Sequence, residues 1–168
     1  EIITEGQIKK SMISLLEDAN PGDSISIAMF QLSNRKVIQK IIDTSKKGVS
    51  IRMILDPNKD GFGYPQNGIP NRPAAHEIMK KSNGRIKIRW YHTHGEEFHT
   101  KLMINKQSNG QSTYILGSSN ITRKNLGNHN LELDVKVTAA TTSNLTQELT
   151  DYFEKIWGNK SGDYYTAN

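Results

Sequence analysis

The sequence contains no cysteine, and this absence excludes several kinds of protein at once. A disulfide-stapled scaffold, a zinc site built from thiolates and a cysteine nucleophile all require that residue. Long hydrophobic runs are also missing, since the apolar stretches extend over a few residues and a membrane-spanning helix needs about 20. A basic and apolar leader of the secretory type is absent as well. The chain begins at Glu1 rather than at methionine, and we expect a processed chain or a piece of a larger protein.

The residues that are present are typical of one folded domain. Of the 168 residues, 35% are hydrophobic and 23% are charged, which is the composition of a globular protein. A chain of this length can bury roughly 70% of its unfolded surface. Because no repeat, linker or low-complexity stretch divides the sequence, we predict a single domain over residues 1–168, with a frayed end over residues 159–168.

The positive charge is concentrated in the middle of the chain. The net charge is +5, and residues 61–105 hold seven basic and three acidic residues. A local positive field favours anionic ligands such as phosphodiesters, nucleic acid or acidic lipid. A solvated surface without a ligand remains the alternative explanation.

The hydrophobic pattern predicts an α/β fold. Residues 24–30 and 49–55 alternate as strands around a helix that Asn34 can cap, which indicates a βαβ unit with parallel strands. Further strands are predicted over residues 85–91, 99–105, 113–116 and 131–137, and further helices after the capping box Thr4-x-x-Gln7, from Pro73 and from Thr141. We therefore predict a mixed, largely parallel β-sheet with helices on both faces.

Residues 56–72 interrupt this regular pattern. The segment is rich in proline, glycine and asparagine and has no hydrophobic periodicity. Long irregular segments inside a compact domain are usually functional or disordered. This one follows a predicted strand, where ligand sites of α/β sheets tend to lie.

The histidines allow two kinds of site. His76 and His129 stand alone in polar surroundings and are predicted to lie at the surface. His92 and His94 form a His-x-His pair that could ligate zinc, but no third ligand has an obvious position in the sequence. We therefore predict that no metal is bound, and we favour a structural or site-lining role for this pair.

The strongest candidate for chemistry is His99-x-Lys101. Both side chains lie on one face of a predicted strand, and a histidine and a lysine on a mostly buried strand are costly unless they serve a site. The turn Gly117-Ser118-Ser119-Asn120 follows the next strand, and Asn130-x-Glu132 enters the one after it. Neighbouring strand ends would bring together an imidazole, an ammonium, a hydroxyl, a carboxamide and a carboxylate, which suits a phosphodiester substrate. An ordinary turn and a solvent-facing Glu132 are the alternative interpretation.

With these motifs the sequence resembles the phospholipase D superfamily of His-Lys-Asp phosphodiesterases. The family motif is His-x-Lys-x4-Asp, followed by Gly-Ser-x-Asn and often by Asn-x-Glu. Lys106 stands where the motif has aspartate. The resemblance covers most of the chain and is closest to the second lobe of bacterial two-motif proteins; it includes residues 27–30, 55–60, 67–72 and 93–96.

The resemblance implies a mechanism and a set of site residues. In this family one histidine attacks phosphorus and a second protonates the leaving alcohol, without a metal or another cofactor. His99 would be one of these two histidines, Lys101 and Asn120 would hold phosphate oxygens, Ser118 would support them, and Glu132 would orient a histidine. Four further residues in the matching stretches are candidate substrate-binding residues: Asn58, Lys59, Arg72 and His94.

The resemblance also implies a partner, because the chain supplies one motif and the family's site needs two. The second motif would come from a missing lobe of the same protein, which we favour, or from a second copy of this chain. The implied function is cleavage or transfer of the phosphatidyl group of a phospholipid through a phosphohistidine. The alternatives are a homodimeric nuclease and a catalytically silent module that binds anionic lipid or nucleic acid. The sequence leaves the compartment open and favours a membrane-peripheral or secreted protein.

Overall fold

An eight-stranded β-sheet lies at the centre of the computed structural model, which describes residues 1–58, 60–61, 64–65, 67–160, 162 and 165–166. The strands of this sheet are β1 (Ile2–Thr4), β2 (Ser24–Met29), β3 (Ser50–Leu55), β6 (Ile86–Tyr91), β7 (Lys101–Lys106), β8 (Gln111–Gly117), β9 (Leu133–Ala140) and β10 (Tyr165–Thr166). Their order across the sheet is β1-β9-β8-β7-β2-β3-β6-β10. A separate small hairpin is formed by β4 (Asp60–Gly61) and β5 (Tyr64–Pro65).

The predicted mixed α/β sheet is confirmed, and the balance of its pairings differs from the prediction. The βαβ unit is present, because β2 pairs parallel with β3 and β3 pairs parallel with β6. The remaining neighbours in this sheet are antiparallel, so the sheet is not largely parallel. The reason is the short polar turn between β7 and β8, since a connection of a few residues can only join antiparallel strands.

Helices cover both faces of the sheet, as predicted. The helices α1 (Gly6–Glu17), α2 (Arg35–Lys46) and α3 (Asn71–Lys81) pack on one face, and α5 (Asn144–Gly158) packs on the other. A one-turn helix, α4 (Arg123–Leu126), follows β8. The predicted cap of α2 is present, because the Asn34 side chain accepts a hydrogen bond from the Val37 amide at 3.3 Å.

The N-terminal capping box is wrong. Thr4 is the last residue of β1, and α1 begins after Glu5, which makes no side-chain cap. Residues Ile2–Thr4 pair with β9, and the buried Ile3 side chain joins the core. Because residues 2–4 pair with β9 and Ile3 is buried, Thr4 is in a strand and cannot serve as the N-cap of α1.

The described part of the C-terminal segment adds a short strand to the sheet. Tyr165–Thr166 pairs antiparallel with the end of β6, whereas residues 161, 163–164 and 167–168 of the segment predicted to fray lie outside the described part. Within the described residues, no helix is both long and apolar enough to cross a membrane.

Candidate active site

One edge of the sheet collects the polar residues of the predicted site. Because β7 runs antiparallel to both β2 and β8, the start of β7 lies beside the ends of β2 and β8, and the start of β9 lies there too. His99 and Lys101 are at the start of β7, the turn 117–120 follows β8, and Glu132 precedes β9. Strand direction alone therefore brings these groups to the same edge.

His99 and Lys101 contact each other directly. The Lys101 ammonium lies 2.9 Å from Nδ1 of His99 and donates a hydrogen bond to the His99 carbonyl at 2.8 Å. Phe30, which follows β2, packs against both groups: its ring centre is 4.7 Å from that of His99 and 5.2 Å from the Lys101 nitrogen. The aromatic ring holds the pair against the sheet. Both side chains are therefore already ordered before a substrate binds.

Burial changes the protonation of this pair. Burial lowers the pKa of Lys101 to about 8, although the carboxylates of Glu132, Glu97 and Asp134 oppose the change. Partial burial, and then the charge of Lys101, lower the pKa of His99 below its usual 6.5. At neutral pH the site therefore holds a neutral imidazole beside an ammonium. The ammonium donates to Nδ1, so the proton of the neutral imidazole lies on Nε2.

The turn after β8 depends on Gly117. A methyl group at this position would lie 2.3 Å from the Asp134 carboxylate and 2.5 Å from the Leu133 carbonyl, which is closer than real Cβ contacts allow. The close approach lets the Ser118 amide donate to the Leu133 carbonyl at 3.2 Å and the Ser119 amide donate to Asp134 at 3.1 Å. The glycine thus ties the turn to the start of β9.

Asn120 is held in one orientation. Its side-chain oxygen accepts a hydrogen bond from the Gln31 amide at 3.1 Å. The Ile121 amide in turn donates to the Gln31 carbonyl at 3.0 Å, and Leu32 and Ile121 form a parallel bridge. With the oxygen used in this way, the NH2 group of Asn120 is the end that can donate to a phosphate oxygen.

Glu132 is surrounded by donors. Ser118 and Asn125 donate to its two oxygens, and Asn130 donates to Oε1 at 3.3 Å. Burial alone would raise the pKa of this carboxyl, but those hydrogen bonds and the charge of Lys101 outweigh it, so the pKa is lowered. Glu132 is therefore an anion at neutral pH, and Ser118 contacts the site through it.

Two buried carboxylates were not found from the sequence. Asp134 is 1% exposed and receives the amides of the turn, and Asp56 is fully buried and accepts from the Phe98 amide at 2.6 Å. Burial raises the pKa of both groups. Asp134 follows Glu132 by two residues in an alternating strand, and this spacing is the signal that could have found it.

The residues predicted to bind substrate lie in different environments in the structure. Asn58 is buried, and its side chain bonds the Asn71 amide at 3.1 Å, the Phe30 carbonyl and the Asp56 carboxylate, so it faces the protein interior. Arg72 is exposed at the start of α3. Within the described residues, His94 contacts Glu96 and the ring of His92. Lys59 lies outside the described residues.

No metal cluster is present in the part of the chain that the structure describes: no group of three or more acidic or histidine side chains lies close enough to hold an ion. The rings of His92 and His94 are 4.5 Å apart, and His94 faces Glu96 with a nitrogen–oxygen distance of 3.5 Å. These three side chains are exposed. His92 and His94 are the residues of the predicted zinc alternative, and the group of His99, Lys101, Asn120 and Glu132 does not include them.

Comparisons with known proteins agree with this architecture. The structure is similar to the phospholipase D family member Nuc from Salmonella typhimurium, with a TM-score of 0.67 and 17% identity over 100% of this chain and 99% of that one. For NucT from Helicobacter pylori the TM-score is 0.68 and the identity 16%, over 99% and 100%. A variant of yeast tyrosyl-DNA phosphodiesterase gives 0.57 and 14%, over 97% of this chain and 39% of that one. At these identities the likeness establishes the fold.

Sequence-level comparison gives the family. No match was found among curated protein sequences. The family model described as "Cardiolipin synthase, PLD-like domain" matches residues 12–157, which is most of the chain and includes the His99–Lys101 and Gly117–Asn120 motifs. The resemblance predicted from those motifs is confirmed, and the chain belongs to this phospholipase D-like family.

Proposed function

We propose that this protein is a metal-independent phosphodiesterase that works through His99. The observation that carries the proposal is the meeting of His99, Lys101, Asn120 and Glu132 at one sheet edge in a member of a phospholipase D-like family. A neutral imidazole beside a cation and an amide donor provides both a reactive nitrogen and stabilisation for phosphate oxygens.

The proposed reaction uses one His99 from each of two chains. Nε2 of one imidazole, in its Nδ1–H form, attacks phosphorus, and the bond from phosphorus to the leaving oxygen breaks. The leaving oxygen takes the proton from Nε2 of the other imidazole while Nδ1 of that imidazole takes the proton that its Lys101 ammonium donates, so the imidazole stays neutral. That second imidazole then removes a proton from water with Nε2 and returns the Nδ1 proton to Lys101, the water oxygen attacks phosphorus, and the phosphorus–nitrogen bond breaks. Lys101 and Asn120 donate to the non-bridging oxygens throughout, where charge develops.

The tautomer of His99 in this structure, with its proton on Nε2, suits the role of the general acid. Lys101 donates to Nδ1, and the proton on Nε2 is the one that a leaving oxygen would receive. To act as the nucleophile, the same imidazole needs its proton on Nδ1, held by a carboxylate. We assign this task to Glu132, an anion that three hydrogen-bond donors hold in place. It would accept the Nδ1–H of the His99 that belongs to the facing chain.

The second motif is proposed to come from a second copy of the chain. The similarity extends over 99% of the Nuc chain and 100% of the NucT chain, so in those structures one chain corresponds to one lobe of this kind. This supports the homodimer over the missing lobe that the sequence favoured. A facing lobe from the same polypeptide remains the alternative, and the two differ in how activity depends on protein concentration.

Two phosphodiester substrates have support. The description of the matching family as cardiolipin synthase favours a phospholipid, which is also the substrate class that the sequence implied. The similarity to tyrosyl-DNA phosphodiesterase favours nucleic acid. Both substrates present the same group to His99, so the chemistry above is common to them.

The test is hydrolysis of bis(4-nitrophenyl) phosphate in excess EDTA. We expect activity that survives the chelator and that falls by about 10³-fold or more in His99→Ala, because no other group supplies the attacking nitrogen. His129→Ala, at an exposed histidine, is the matched control. Full activity of a folded His99→Ala variant would exclude the assignment, and loss of activity in EDTA would point instead to His92 and His94 as metal ligands.

A further inference from the structure

An open groove lies on the surface near the sheet edge that carries His99 and Lys101, which is called the catalytic edge below. It is lined by Arg72, Ala75, His76, Met79 and Trp90 and has a volume of about 310 Å³. Arg72 and His76 are exposed, whereas Trp90 is 9% exposed and forms the floor. The guanidinium carbon of Arg72 lies 6.0 Å from the centre of the Trp90 ring, within the range of a cation–π contact. The groove thus has an apolar floor and two basic side chains at its rim.

Sheet register places the groove relative to the reactive groups. Lys101 is paired with Met29, Met29 with Leu55, and Leu55 with Trp90, so the four residues form one row across the sheet. Side chains of paired residues point to the same face, and neighbouring strands are about 4.8 Å apart. Trp90 and Lys101 therefore lie on the same face and at the same edge, separated by about 14 Å along the row.

The arginine is held in position by its surroundings. Its amide donates to the Gly68 carbonyl at 2.9 Å, and the stem of its side chain packs so closely on Gly68 that a methyl group there would lie 2.2 Å from Cδ. The preceding residue, Asn71, donates to the Phe30 carbonyl at 2.7 Å, and the Phe30 ring contacts His99. The start of α3 is thus fixed to the catalytic edge by direct contacts.

Charge at the groove is favourable to a polyanion. Residues 61–105 hold the concentrated positive charge of the chain. Glu77 is the one carboxylate in the sequence of α3, and it is paired with Arg35 and Lys81, which lower its pKa to about 2. The acidic side chain of this helix is therefore already neutralised by other partners, and Arg72 and His76 face the groove without it.

We infer that this groove is a subsite for the backbone of a single-stranded nucleic acid, several nucleotides away from the phosphodiester that His99 attacks. This inference rests on the proposed function and deepens it, since it names the substrate class. A stacked strand advances about 3.4 Å per nucleotide, so about 14 Å corresponds to about four nucleotides. Arg72 would bind a phosphate while its stacked guanidinium plane offers a surface to a base.

A phospholipid fits the groove less well. The headgroup carries its charge close to the reacting phosphate, so a groove about 14 Å away along the sheet would face acyl chains. Arg72 and His76 at the rim are unsuited to an acyl chain, because a basic side chain is costly to bury in an apolar contact. A polynucleotide, in contrast, repeats its charge at every residue along the row.

The test compares substrate lengths. Turnover of a dinucleotide and of an octanucleotide that share one fluorescent leaving group is measured for the wild type, Arg72→Gln and Lys80→Gln. Lys80→Gln removes the same charge from an exposed position on the same helix, outside the groove. We expect kcat/KM of the wild type to rise at least ten-fold from the dinucleotide to the octanucleotide. In Arg72→Gln this rise should fall to within three-fold, and in Lys80→Gln it should persist.

Binding gives a second readout that does not require turnover. The affinity of His99→Ala for a labelled octanucleotide is measured against salt concentration, with and without Arg72→Gln, and we expect Arg72→Gln to reduce the slope of log affinity against log salt by about 1. His76→Gln is the second variant, in case Arg72→Gln does not fold.

An equal effect of Arg72→Gln on both substrate lengths, or no length dependence in the wild type, would overturn the inference while His99-dependent cleavage of the dinucleotide upholds the proposed function. Cleavage of anionic phospholipid vesicles that depends on Arg72, with no effect on the oligonucleotides, would replace nucleic acid by lipid. If no diester is cleaved but octanucleotide binding depends on Arg72, the proposed function is wrong, and the inference that the groove binds single-stranded nucleic acid is upheld.

Discussion

At the scale of single residues, the unusual group is a lysine that is buried beside the histidine it would assist. Lys101 is 8% exposed, and its pKa is lowered to about 8 by burial. A lysine in water keeps its proton until about pH 10.4. The site therefore loses its cation within the range of pH in which enzymes are assayed, and this gives Lys101 a measurable signature.

The pH profile of kcat/KM is the measurement. Lys101 must be protonated to stabilise phosphate oxygens, so activity is expected below pH 8 and is lost as the pH rises through about 8. The attacking imidazole must be neutral, and since the pKa of His99 is lowered, the acid limb should lie below pH 6.5. In Lys101→Arg the alkaline limb should move beyond pH 9, because a guanidinium keeps its proton. Lys101→Ala should lose about 2–4 kcal/mol of transition-state stabilisation.

Lys10→Arg, at an exposed lysine of α1, is the control for this profile and should leave the alkaline limb near pH 8. An alkaline limb that stays in place in an active Lys101→Arg variant would assign it to another group and would remove Lys101 from the proposed mechanism.

At the scale of elements, the site depends on how the ends of strands are tied together. The turn after β8 approaches the start of β9 so closely that Gly117 has no room for a side chain. We expect Gly117→Ala to destabilise the protein by about 1–3 kcal/mol, as overpacking does, and to reduce activity as the turn carrying Asn120 shifts. Chemical denaturation and turnover measure the two effects. Gly158→Ala, in a helix and with open space around it, should be neutral or stabilising.

If Gly117→Ala were as stable and active as the wild type, the turn would have to rearrange without cost, and the tie between Asp134 and the Ser119 amide would not matter.

A second tie joins α3 to the ends of β2 and β3. The Asn71 side chain accepts from the Leu32 amide at 2.7 Å and donates to the carbonyls of Phe30 and Asp56 at 2.7 and 2.8 Å. Asn71→Leu leaves the Leu32 amide and the Asp56 carbonyl without this partner, whereas the Phe30 carbonyl keeps its hydrogen bond from Asn58. Each buried polar group left without a partner costs about 1–3 kcal/mol, so we expect a loss of at least about 2 kcal/mol in the free energy of unfolding. Asn144→Leu, exposed at the start of α5, is the control and should change it by less than 1 kcal/mol.

The sequence predicted the elements that carry a local signal and missed those that depend on distant partners. The βαβ unit and the cap of α2 are set by residues close in sequence, and both are present. Strand β1 was missed because three residues hold too little periodicity, and its partner strand begins at Leu133, far along the chain. The prediction that the sheet is largely parallel extended the βαβ unit to strands whose short turns require antiparallel pairing.

The same distinction holds within the site. The edge that collects His99, Lys101, Asn120 and Glu132 follows from strand order, and the motifs were visible in sequence. Asp56 was missed as a site residue because its contact with the Phe98 amide spans 42 residues. Asn58 was predicted to bind substrate, yet it turns inward because Asn71 and Phe30 offer it buried partners. The side-chain roles themselves remain predictions until the variants are measured.

At the scale of the whole molecule, the proposed site is completed by a second copy. One chain carries one His99, so a dimer with a single wild-type chain has either the nucleophile or the acid, but not both. Mixing a fixed amount of wild type with excess His99→Ala should therefore reduce the activity per wild-type chain, toward zero at a large excess. His129→Ala in the same excess should leave it unchanged. Constant activity during the titration with His99→Ala would show that each chain acts alone.

The groups proposed for catalysis all come from residues 99–134, a continuous stretch that contains β7, β8 and the start of β9, whereas the groove is built from α3 and β6, between residues 71 and 91. The residues proposed for the reaction and those proposed to select the substrate thus lie in separate, neighbouring segments of the sequence. We expect that replacing the exposed groove residues Arg72, His76 and Met79, with Asn71 retained, changes the substrate preference and keeps the chemistry. Divergence among relatives should accordingly be faster at these three positions than in residues 99–134.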